Sequence, residues 1–68
     1  MPKKIRELKA MLLKAGCINE PGKGSHTKWK HPLINRKIVL SGKDSTDAKR
    51  YQEKEVMQLL KDIKETQS

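Results

Sequence analysis

The chain has 68 residues, 34% of them hydrophobic, with one Trp, one Tyr and no Phe; so short a chain buries only about 60% of its unfolded surface, which leaves no material for a second core. The single Cys17 excludes an internal disulfide, and no apolar run approaches the roughly 18 residues of a membrane span. Sixteen Lys and Arg against eight Asp and Glu leave a formal charge of +8, so the expected partner is anionic: nucleic acid first, an acidic protein or an anionic membrane surface otherwise.

From Lys3 to Ala15, the apolar residues Ile5, Leu8, Met11, Leu12 and Ala15 recur at steps of three and four, which predicts a first helix. Pro2 suits a first helical position and Gly16 the left-handed residue that ends a helix. Lys4, Arg6, Lys9 and Lys14 fall on the opposite, solvated face. Cys17-Ile18-Asn19-Glu20 reads as a weak strand that stops at the Pro21-Gly22 turn. Ser25 to His31 alternates, so period two places Ser25, Thr27, Trp29 and His31 on one face and His26, Lys28 and Lys30 on the other. Trp29 is the side chain most in need of a core, so its face should pack on the helices while His26, Lys28 and Lys30 look outward.

Pro32 closes that strand, Leu33-Ile34-Asn35 is a connection, and Arg36 to Ser41 is a third strand with Ile38 and Leu40 on one face and Lys37 and Val39 on the other. The polar stretch 43–50 is a loop, with Ser45, Thr46 and Asp47 as candidate N-caps for a second helix. That helix runs from about Tyr51, with Val56, Leu59, Leu60 and Ile63 as its apolar stripe. Tyr51 and Cys17 are expected to pack. The order helix, three strands, helix predicts an α+β fold, α-β-β-β-α: a three-stranded antiparallel sheet with both helices on one face, formed as a single domain over 1–68.

The stretch 22–32 gathers both histidines, three lysines and the only Trp. Same-face neighbours in a strand stand roughly 6.5–7 Å apart, so one phosphodiester can touch His26 and Lys28 together. An imidazole that gives or takes a proton, beside ammonium groups that stabilise charge at phosphorus, suits cleavage of RNA, whose 2′-hydroxyl is a built-in nucleophile that needs no metal. On spacing alone, an ordinary exposed strand histidine is the better reading. Five residues on, His31 points to the opposite face and reads as structural. Cys17, His26 and His31 lack a zinc-ligand spacing, and no metal or other cofactor is expected. Pro21-Gly22-Lys23-Gly24 lacks the full spacing of a nucleotide-binding P-loop, though a glycine turn would let backbone approach a phosphate; Ser25 either bonds phosphate or caps that turn. No apolar segment follows Met1-Pro2-Lys3-Lys4, which points to a cytoplasmic protein.

Lys4-Ile5-Arg6-Glu7-Leu8, the helix end Leu13-Lys14-Ala15-Gly16, Gly24-Ser25-His26 before an alternating strand, and the segment Asp47 to Val56 together resemble the HicA toxins of bacterial toxin–antitoxin systems. Arg50 stands where many relatives have Pro, and Cys17 replaces a larger apolar residue often found after Ala-Gly. The resemblance implies a fold like double-stranded-RNA-binding domains and activity as an mRNA interferase that stops translation. His26 matches the family's catalytic histidine, and a HicB-type antitoxin is implied as the inhibitory partner. Combined with the charge pattern, this makes His26 the catalytic candidate and Lys23, Gly24, Ser25, Lys28 and Lys30 the phosphate-binding candidates. The readings that compete with an endoribonuclease are a non-catalytic RNA-binding module and a basic protein-interaction domain.

Overall fold

Ile5, Leu8 and Leu12 fall on one helical face, and in the computed structural model, which describes residues 3–22, 24 and 26–67, all three are buried on α1 (Ile5–Lys14). Strands β1 (Ile18–Pro21), β2 (Thr27–His31) and β3 (Ile34–Leu40) follow, then α2 (Arg50–Gln67). The sheet is antiparallel in the order β1-β2-β3. Its buried face gives Trp29, Ile38 and Leu40 to the cluster that Ile5, Leu8 and Leu12 share with Val56, Leu59 and Ile63 of α2. The predicted α-β-β-β-α order and the packing of both helices on one side of the sheet are therefore observed.

Helix α1 begins at Ile5, two residues later than its periodicity suggests, and Pro2 lies outside the described residues. With Lys4 as an N-cap lacking a side-chain acceptor, the first free N–H groups find carbonyls elsewhere: Ile5 donates to Thr46 (2.9 Å) and Arg6 to Asp44 (3.1 Å). The same segment corrects the expected solvated face. Arg6 and Lys14 are exposed, but Lys4 pairs with Asp47 at 2.5 Å and Lys9 with Asp44 at 2.7 Å. The helix ends as expected on Gly16, at φ 91°. Gly16 N–H donates to Leu13 O and Cys17 N–H to Leu12 O, the paired bonds that close a helix through a left-handed glycine.

Period two holds along β2. Trp29 is 1% exposed, and its indole N–H donates to Thr27 Oγ1 at 2.9 Å. Thr27 Oγ1 in turn donates to Leu40 O at 3.3 Å, so the one polar atom of the indole is satisfied inside the core. Strand β3 starts earlier than expected: Ile34 and Asn35 belong to it, and the connection shrinks to Pro32-Leu33. Proline presets the backbone for a tight turn. The pairing passes from Lys30↔Lys37 to His31↔Ile34, so an irregularity absorbs Asn35 and Arg36 without turning Ile38 and Leu40 out of the core.

None of Ser45, Thr46 and Asp47 caps α2. The first intrahelical bonds go to Lys49 O, from Gln52 N–H (3.0 Å) and Glu53 N–H (3.1 Å), which makes Lys49 the cap position. Having no side-chain acceptor there, the helix is closed from the other side: Gln52 Oε1 accepts from Lys49 N–H at 2.8 Å. The Nε2 of the same amide donates to Ser41 O at 3.1 Å, tying the end of β3 to the start of α2. Among the described residues, no helix is long and apolar enough to cross a membrane.

Candidate functional site

The β1–β2 hairpin positions His26. Its last sheet pair is Pro21↔Thr27, and one step further Gly22 N–H donates to His26 O at 3.1 Å. A Cβ on Gly22 would lie 2.9 Å from that oxygen, so only glycine permits this approach. At the loop tip Gly24 has φ 61°, a left-handed conformation that explains the residue there by backbone geometry alone. Strand β2 begins at Thr27, not Ser25, and leaves His26 exposed at its entrance. Lys23 and Ser25, two of the expected phosphate contacts, lie outside the described residues.

On the outer sheet face, Lys28 is exposed and lies opposite Glu20 on one side and Val39 on the other. Lys30, expected to look freely outward, pairs with Glu20 at 2.6 Å. The hydrogen bond from Lys30 and its charge, then the charges of Lys37 and Lys28, hold the Glu20 carboxyl below its ordinary range. Three ammonium groups thus surround one carboxylate, and the face remains positive. Lys37, opposite Lys30 on β3, extends it beyond the lysines singled out in the sequence.

The side chains that share a concavity with His26 come from β3 and α2. An open groove of about 800 Å³ is lined by His26, Lys37, Val39 and Ser41 on the sheet side and by Tyr51, Lys54, Glu55 and Gln58 on the helix side. Arg36 also borders it, held by Asp62 of α2 at 2.9 Å. Tyr51 corrects the expectation of a packing residue. Its side chain is 53% exposed, because the buried positions of α2 are Gln52, Val56, Leu59 and Ile63 and a neighbour in sequence is turned about 100° from them. Its helical phase was the signal that would have found it. A second depression, about 940 Å³, runs along α2 from Arg50 to Lys61 and contains neither histidine.

His31 and Cys17 stand apart from this groove. The His31 ring is 7% exposed; Leu33 N–H donates to its Nδ1 at 3.1 Å, and Nε2 lies 3.2 Å from Ala15 O. An Nδ1 that accepts leaves the proton on Nε2, which donates to the carbonyl. This neutral ring fastens the end of α1 to the β2–β3 turn, the structural role its parity suggests. Cys17 is buried, and burial pushes its thiol pKa up, which disfavours the nucleophilic thiolate. Among the described residues, no three His, Cys, Asp or Glu side chains converge as metal ligands do.

An exposed imidazole at a groove rimmed by lysines, on an α-β-β-β-α fold carrying +8, defines a small basic α+β protein whose open face attracts anions. The family model described as HicA toxin of bacterial toxin–antitoxin matches residues 5–64, and the chain belongs to that family. It is thus a toxin of a toxin–antitoxin system, and an antitoxin is its implied partner. No curated protein and no solved structure matches it.

Proposed function

We propose that the protein is an endoribonuclease toxin, an mRNA interferase that arrests translation in the cytoplasm, with residues 1–68 acting as one domain and His26 as its catalytic acid/base. The observation that carries this reading is the exposed His26 in a groove whose rim includes Lys37 and Lys54, in a chain of the HicA family. The RNA 2′-oxygen attacks the adjacent phosphorus, the bond from phosphorus to O5′ breaks, and the products are a 2′,3′-cyclic phosphate and a 5′-hydroxyl. His26 moves one of the two protons, off the 2′-hydroxyl as base or onto O5′ as acid. Lys28 binds a flanking phosphate, and Lys23, Gly24 and Ser25 line the approach from the loop. Lys30 contributes once RNA competes with Glu20 for it. A HicB-type antitoxin with an acidic surface covers the site and inhibits it.

The test is cleavage of a long single-stranded RNA in the presence of chelator, comparing wild type with His26→Ala and mapping product ends. Cleavage with cyclic-phosphate ends by the wild type only is the expected result. Folded protein that binds RNA while neither form cuts it assigns the chain to a non-catalytic RNA-binding module; absence of RNA binding as well assigns its basic face to protein interaction.

A further inference from the structure

Tyr51 is an aromatic side chain that the core does not use. Trp29 fills the interior, whereas the Tyr51 ring stands in solvent on the first turn of α2. It faces the groove that holds His26, with Val39, itself exposed, on the sheet side and Lys37 and Lys54 along the rim. Arg36 is committed to Asp62, but among the described residues neither Lys37 nor Lys54 forms an ion pair.

A stackable ring, an aliphatic neighbour and two ammonium groups outside any close ion pair, along one open channel, answer the two chemical faces of a single-stranded nucleic acid. Bases present flat apolar surfaces that stack on aromatics, and phosphates present charge that lysines neutralise. A duplex hides its base faces inside the helix and offers nothing for the ring to stack on. An acidic protein surface would use the lysines without requiring an aromatic plane between them.

We propose that Tyr51 stacks on the nucleobase next to the phosphate presented to His26, so that the groove between β3 and α2 is the binding channel for single-stranded RNA. This deepens the ribonuclease reading and rests on it for the role of His26. Tyr51 is the positioning residue that sets where along the strand the phosphate meets the imidazole. Among the described residues the groove holds a single carboxylate, Glu55, which can accept a hydrogen bond from the amino edge of a stacked base.

The experiment measures binding by fluorescence anisotropy in the His26→Ala background, where RNA survives. Two probes are used: a labelled hexauridylate and an abasic ribose-phosphate hexamer with the same number of phosphates. Tyr51→Ala is expected to weaken binding of the base-bearing hexamer about ten- to hundred-fold and to leave the abasic hexamer unchanged. Tyr51→Phe is expected to restore binding, and Lys54→Ala to weaken both probes alike. Equal affinity of Tyr51→Ala and its parent for hexauridylate overturns the inference, as does an equal loss on both probes. Loss of antitoxin binding with RNA affinity intact assigns the ring to the protein partner and overturns it too. Cleavage by the chain with His26 intact is scored in parallel. Tyr51-dependent binding without cleavage defeats the nuclease reading alone, and cleavage with Tyr51-independent binding defeats this inference alone.

Discussion

His31 Nε2 lies 3.2 Å from the carbonyl oxygen of Ala15, sixteen residues earlier in the chain, and this contact joins the end of α1 to the turn that starts β3. Replacing His31 by Ala removes both ring hydrogen bonds and leaves Leu33 N–H and Ala15 O without them. We expect His31→Ala to cost about 2–4 kcal/mol, read as a lower urea midpoint at unchanged slope. Because the ring sits at the opposite end of β2 from His26, cleavage per folded molecule should persist at low temperature. An unaltered midpoint would show that the ring is not a fastener.

Gly22 and Gly24 make opposite predictions within one hairpin. A Cβ on Gly22 meets His26 O at 2.9 Å, whereas one on Gly24 meets nothing within 4 Å but forces a side chain into φ 61°. Gly22→Ala should therefore displace His26 and reduce the single-turnover cleavage rate about ten- to hundred-fold. Gly24→Ala should cost about 1–2 kcal/mol of stability through strain, with a smaller effect on rate. Paired thermal melts and single-turnover kinetics check both, and equal rates in the two variants would contradict the role given to Gly22.

Gln52 is 2% exposed and divides its amide between Lys49 N–H and Ser41 O. Gln52→Ala leaves both without that partner, and a loss of about 1–3 kcal/mol follows. Gln52→Glu keeps the acceptor for Lys49 but turns a carboxylate oxygen toward a carbonyl, so a comparable loss is expected even though the helix cap is retained. Urea titrations of the two variants test this; wild-type stability in Gln52→Glu would mean that the Ser41 bond contributes nothing.

Glu20 supplies a pH dependence whose sign is defined. Its carboxyl is held below its ordinary value of 4.5 by Lys30, then by Lys37 and Lys28, so the unfolded chain takes up the proton first as pH falls. The stabilisation is complete above 4.5 and is lost as pH drops through the lower, folded value. Exposure and screening keep the effect small. Urea midpoints should fall more steeply from pH 5 to pH 3 in wild type than in Glu20→Gln, and that variant should bind RNA with a larger salt dependence because Lys30 is released. Parallel acid limbs in the two proteins would remove Glu20 from the account.

The legible parts of this fold are those that a local period controls. Alternation along β2 sends Trp29 inward and Lys28 outward whatever the chain does elsewhere, and Gly16 ends α1 through a conformation that glycine alone adopts cheaply. Lys4 and Lys9 look solvated because their partners, Asp47 and Asp44, come from the far side of the sheet in sequence. Lys30 looks free because its diagonal contact with Glu20 depends on the register of a hairpin whose loop length no pattern specifies. The cap of α2 is hidden for a different reason: the acceptor is Gln52, inside the helix, while the more familiar capping residue Asp47 is taken by Lys4. Composition points Tyr51 the wrong way, since a chain poor in aromatics suggests that each one is needed in the core. The phase set by Val56, Leu59 and Ile63 outweighs that suggestion.

The backbone ladder joining Lys3 and Ile5 to Ala48 and Thr46 orders events during synthesis. The groove walls lie on β3 and α2, and the first N–H groups of α1 lack their acceptors, Thr46 O and Asp44 O, until the loop before α2 has been made. A chain interrupted before α2 lacks Val56, Leu59 and Ile63 from its core and Tyr51 from its groove. A translation product that stops short of α2 therefore carries His26 without the helix wall of its groove.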